Sequence, residues 1–216
     1  VPTGMDPLTA LRMSVAHLKS PKIEGLPTLT GGLVGYMGYD AVRRLEKLPE
    51  LSAKDLALPE ITFILTSDLA VLDHSDGTII LIANAINWDG SNERIDEAFS
   101  DAQSRLDRMQ SELMQPISGN VSEIPAQSKP VFEINMKEAE FLSKVDLAKE
   151  EIRAGEAFQI VLSQRFGMDA KADALDIYRM LRLNNPSPYM YLFRFEDGFD
   201  VVGSSPEALV KVTDRE

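Results

Sequence analysis

The sequence predicts an α+β fold of largely antiparallel sheets flanked by helices, and three observations carry that expectation. Strand patterns come in pairs about tight turns, notably Ser75-Asp76-Gly77 and Glu196-Asp197-Gly198, which join neighbouring strands antiparallel. Helical periodicity falls in separate long stretches, Asn92 to Met114 and Glu138 to Ala154. Strand and helix do not alternate as βαβ units, which argues against a parallel sheet.

Val1 to Pro7 reads as the end of a loop, with no initiator methionine and with Pro2, Gly4 and Pro7 as breaks, so a piece of a longer protein is expected. Leu8 to Leu18 places Leu8, Leu11, Val15 and Leu18 on one helical face. A glycine-rich strand, Gly31 to Asp40, then leads into a helix from Ala41 to Leu48. Its glycines match neither a dinucleotide fingerprint nor a phosphate loop, and they read as places where another backbone comes close. Ile61 to Leu65, Leu69 to Asp73 and Thr78 to Ala85 are expected as three antiparallel strands.

The long helix Asn92 to Met114 buries Ile95, Phe99, Ala102 and Leu106 on one stripe, and its charges are read as solvated surface. Residues 116–130, rich in Pro, Gly, Ser and Asn, separate an N-terminal region (1–115) from a second region (131–216). The second region opens with the helix Glu138 to Ala154, whose Gly155 is placed to end it. Ala157 to Phe166 is expected as a buried strand, with Gln159, Val161, Ser163 and Arg165 on one face by parity. A helix from Ala174 to Leu183 stops at Asn185-Pro186-Ser187-Pro188, because proline cannot continue it. Tyr189 to Phe195 and Phe199 to Gly203 form a hairpin, Ser204 to Glu207 a turn, and Ala208 to Val212 a last strand.

The formal net charge of −12, from 22 basic and 34 acidic residues, excludes nucleic acid and an anionic membrane surface as natural partners. With no cysteine there are no disulfides and no thiolate chemistry. No apolar run reaches membrane-spanning length and no signal peptide pattern opens the chain, so a soluble cytoplasmic protein with a sizeable core is expected. His17 and His74 are too few and too far apart for a histidine metal site and read as structural.

Four stretches together resemble a known family: Gly32-Leu33-Val34-Gly35-Tyr36-Met37-Gly38-Tyr39-Asp40, then Gly155 to Phe166, then Asn185-Pro186-Ser187-Pro188-Tyr189-Met190, then Gly203-Ser204-Ser205-Pro206-Glu207. In this order they resemble the chorismate-utilising enzymes, and within them the anthranilate synthase group, so a partial chorismate-binding fold is expected. The resemblance implies addition of ammonia to chorismate at C2, loss of the C4 hydroxyl and elimination of pyruvate, with Mg2+ holding a substrate carboxylate. Relatives that add water carry a lysine base where this chain has Gln159. A carboxamide suits ammonia, which already has a lone pair and needs only orientation.

By the same resemblance Glu207 is the general acid that protonates the departing hydroxyl, helped by burial that favours its protonated form. Ser205 is implied to contact substrate, and Asn185, Pro186, Ser187, Tyr189 and Met190 to form part of a feedback site for tryptophan. A glutamine amidotransferase subunit is the implied ammonia source. The family's Leu-Leu-Glu-Ser element and the half of its catalytic domain that supplies the Mg2+ glutamates are absent from this sequence. The chain alone is therefore expected to be inactive. Aminodeoxychorismate synthase and a non-catalytic tryptophan-binding module are the alternatives.

Overall fold

A computed structural model describes residues 4–51, 56–117 and 131–212. Backbone contacts divide the chain into two compact units, Val1–Gly119 and Asn120–Glu216. Apart from residues 116 and 117, the expected 116–130 linker lies outside the described residues.

The first unit opens with α1 (Pro7–His17), started by Asp6, whose carboxylate accepts the Thr9 N–H at 2.9 Å, and by Pro7 in the first turn. Strand β1 (Gly32–Met37) pairs antiparallel with β2 (Ile61–Thr66), Gly35 lying opposite Phe63. A Cβ on Gly35 would sit 2.0 Å from the Thr62 carbonyl oxygen and 2.8 Å from the Phe63 Cα, so close approach of the partner backbone does require glycine there.

After a single residue, Ser67, the chain begins β3 (Asp68–Asp73), which pairs with β4 (Thr78–Ala83) instead of with β2. The expected three-stranded meander is thus two separate two-stranded sheets, because β2 takes β1 as its partner. In the β3–β4 turn, Asp73 accepts from the Ser75 N–H and hydroxyl, and Asp76 accepts from those of Thr78. Those bonds, hydroxyl first, hold both carboxyls below the usual carboxylate range. Helix α2 (Ile95–Leu113) packs on β4, burying Ala102 and Ile82.

Residues 41–48 are not an α-helix. A 3-10 helix runs over Tyr39–Arg44, and Arg43 pairs with Asp40 three residues back, the spacing that helix type favours. The Arg43 guanidinium also donates to the carbonyls of Leu48 and Pro49, which folds the chain back on itself.

In the second unit β5 (Glu133–Ile134) pairs with β6 (Phe166–Gly167), and α3 (Glu138–Ala154) lies between them in sequence. Gly155 ends α3 at φ 85° as expected. Its N–H reaches the Ile152 carbonyl and that of Glu156 reaches Glu151, the paired closure that a left-handed glycine permits. Helix α4 (Ala174–Asn184) starts at Asp173, whose carboxylate accepts the Leu175 N–H at 2.8 Å. It packs on the hairpin β7 (Tyr189–Arg194) and β8 (Asp200–Ser205). Phe195 is buried at the hairpin turn, its ring 5.0 Å from that of Phe199.

Two expected strands are absent among the described residues. Ala157 to Arg165 forms no strand, with Phe158 95% exposed, and only Phe166–Gly167 joins a ladder. Residues 208–212 likewise form no strand, with Leu209 98% exposed. Strand propensity is realised only in a ladder, and neither stretch joins one among the described residues. The apolar core is correspondingly thin: Ala41, Ile82, Ala102, Ala174 and Phe195 are its buried apolar residues, and no large side chain is fully buried among the described residues. A sizeable core was expected, and two-stranded sheets do not enclose one.

Candidate functional site

The site residues expected from sequence all lie in the second unit, on three local frames. Gln159 belongs to the 157–165 stretch, which is held at its two ends. The α3 cap fixes the first end at Gly155 and Glu156. At the other end the Gln164 amide donates to the Met136 carbonyl at 3.1 Å, and the Arg165 N–H donates to the Asn135 side-chain oxygen at 3.0 Å. Between those anchors the Gln159 side chain is exposed and makes no hydrogen bond among the described residues.

The second frame is the corner after α4. The Asn185 N–H still bonds back to the Leu181 carbonyl at 2.8 Å, at φ −144° and ψ 63°, so the helix ends one residue before Pro186. Asn185, Pro186 and Tyr189 are exposed, while Ser187 and Met190 are half-buried. The third frame is the end of β8. Tyr189 pairs with Ser205 and Met190 with Ser204, and cross-strand partners share a face of the hairpin.

The last two frames are joined. The Ser204 hydroxyl donates to the Asn185 carbonyl at 2.6 Å, tying the corner to the strand that leads into Glu207. The Ser205 hydroxyl donates to the Glu207 carbonyl at 3.0 Å, which shapes the turn locally. Glu207 itself is exposed, so the described residues do not supply the burial expected around it. Among the described residues no hydrogen bond links Gln159 to the corner or to the Ser205–Glu207 turn. No group of three or more His, Cys, Asp or Glu side chains is placed to hold a metal among the described residues, so these residues do not fit a Mg2+ site.

The sequence matches the family described as chorismate binding enzyme over residues 4–216. The chain belongs to the chorismate binding enzymes. It is 50% identical to anthranilate synthase component 1 of Mycolicibacterium smegmatis over 99% of this chain and 41% of that protein. It is 40% identical to the protein of the same name from Streptomyces coelicolor, covering 99% of this chain and 42% of the relative. The crystal structure of anthranilate synthase component I from Streptococcus pneumoniae superposes with a TM-score of 0.75 at 31% identity, over 98% of this chain and 46% of that one. The chain thus spans less than half the length of these relatives. The α+β class with antiparallel sheets, expected from the hairpin signals, is the fold it shares with them. No helix among the described residues is long and apolar enough to cross a membrane.

Sequence reasoning missed two features of this family member. One is Ser204, which was read only as part of a turn. Register would have placed it beside Met190, but its bond to Asn185 spans 19 residues and leaves no periodic trace. The other is Arg105, taken as solvated surface on α2. Its side chain is only 17% exposed and pairs with Asp68 and Asp101, and it donates to the Asn84 carbonyl at 2.8 Å. Two clefts of about 460 and 340 Å³ in the first unit share Leu65, Ser67, Asn84, Ile86 and Asn87 as a wall. Asn84 braces that wall, its amide donating to the carbonyls of Thr30 and Ser67.

Proposed function

We propose that the protein to which this chain belongs is an anthranilate synthase large subunit. It would act as a lyase that converts chorismate and ammonia to anthranilate, pyruvate and water in tryptophan biosynthesis. The observation that carries this is the 50% identity, across nearly the whole chain, to a protein named anthranilate synthase component 1. The carboxamide at Gln159 supports it, since ammonia needs a director and no base.

In this reading Gln159 orients ammonia towards C2 of chorismate. Glu207, protonated, gives its proton to the C4 oxygen, which leaves as water instead of as hydroxide. Ser205 donates to the substrate, and its present acceptor, the Glu207 carbonyl, keeps it beside the acid. Asn185, Pro186, Ser187, Tyr189 and Met190 form one wall of a tryptophan feedback site, supported by the bond that holds Asn185 against the face shared by Ser204 and Met190. Mg2+, if bound, would need ligands beyond the described residues, and would supply charge to a substrate carboxylate. Ammonia is delivered by a glutamine amidotransferase subunit, and the enzyme is cytoplasmic.

The test is product identity. The complete reading frame, given chorismate, ammonium and Mg2+, is expected to release anthranilate, detected by its fluorescence, together with pyruvate. Release of an aminodeoxychorismate instead would refute the assignment. The 216-residue chain under the same conditions is expected to give no anthranilate.

A further inference from the structure

The β7–β8 ladder stops at a defined place, and what replaces it matters for Glu207. Its last pair is Tyr189 with Ser205. In the same register the next pair would be Pro188 with Pro206, then Ser187 with Glu207, but neither proline has an N–H to give to a ladder. Glu207 therefore sits just past the last backbone bond that could fix its distance from the corner. Two hydroxyls take over. Ser205 bonds within its own turn, to the Glu207 carbonyl, and so sets the shape of the turn but not its place. Ser204, one residue before the ladder's last pair and itself opposite Met190, bonds at 2.6 Å to the Asn185 carbonyl on the far side of the corner.

From this division of labour we infer that Ser204 is a positioning residue for the reaction, its hydroxyl holding the Glu207 turn at a fixed place against the Asn185–Tyr189 corner. The inference rests on the role proposed above for Glu207. Ser204 touches no reacting atom in this account; it acts by where it puts the acid. Proton transfer to a leaving oxygen demands a close heavy-atom approach, so a turn left free to shift loses rate in the chemical step while substrate binding, made by other groups, is kept.

The experiment uses the complete reading frame with chorismate, ammonium and Mg2+. Ser204→Ala is expected to lower kcat by about five- to tenfold with KM for chorismate within about twofold, as expected for one lost hydrogen bond beside an acid. Ser204→Thr, which keeps the hydroxyl on a strand-compatible side chain, is expected to restore kcat. In a Glu207→Gln background the Ser204→Ala change is expected to have no further effect, because a positioning residue has nothing left to position. Unchanged kcat in Ser204→Ala, or an equal fall with and without Glu207, overturns the inference. A Glu207→Gln protein with full activity overturns the acid assignment itself, so the two failures are told apart.

Discussion

Gln159, to which the proposal gives the ammonia, is a carboxamide on an exposed side chain with no hydrogen bond among the described residues. An amide can aim a lone pair but cannot take a proton near neutral pH. Replacing it with a side chain of similar volume is therefore expected to show in the nitrogen substrate alone. Gln159→Leu in the complete protein is expected to lower kcat/KM for ammonium by about 10- to 100-fold. Equilibrium binding of chorismate, followed by dialysis in the absence of ammonium, is expected to change little. An equal loss of chorismate affinity would instead mark Gln159 as a substrate ligand. The types of residue at 159 and 207 were legible in the sequence, as parts of short blocks. Their surroundings were not, because a side chain's enclosure depends on segments far away in the chain.

Among the elements, those set by neighbours a few residues apart were the legible ones. Gly155 ends α3 and Ser75-Asp76-Gly77 closes the β3–β4 hairpin, each with bonds that span at most five residues. The 157–166 strand failed for the opposite reason. Alternating apolar residues describe a stretch that can pair, and a ladder needs a second stretch to pair with. The Asp173–Arg194 contact shows the intermediate case. The start of α4 at Ala174 was read from the sequence, but the Asp173 carboxylate that caps it also takes two bonds from the Arg194 guanidinium, at 2.7 and 3.3 Å, which tie α4 to β7.

The Arg194 bonds first, and the Leu175 N–H second, hold the Asp173 carboxyl below the usual carboxylate range. A lowered native value means that this contribution to stability is present above the unfolded-state value of about 3.9 and is lost as pH falls through the lower folded one. Asp173→Asn keeps a capping oxygen and removes the charge. It is expected to lower the melting temperature at pH 7, read by circular dichroism, with the gap from wild type closing in acid below about pH 4. Both side chains are about half exposed, so the shift is small and weakens with added salt. A gap that persists unchanged at low pH would assign the effect to the cap alone.

For the whole molecule, a formal charge of −12 goes with an apolar core that is thin among the described residues. Fold class was legible at this scale because turn chemistry and helical stripes repeat along the sequence. Sheet membership was not: nothing in the residues says that β2 takes β1 in preference to β3. The pair formed by Arg105 and Asp68, 37 residues apart, was invisible for the same reason.

The 157–165 and 208–212 stretches have a practical consequence for handling. Val161, 82% exposed, and Val210, 77% exposed, lie on stretches that join no ladder among the described residues, so their apolar side chains are open to another molecule. Purified at rising concentration, the chain is expected to scatter light and to brighten a dye that senses apolar surface. A lysine at Val161 should delay that onset, since charge within an exposed apolar stretch is how proteins keep such stretches from associating.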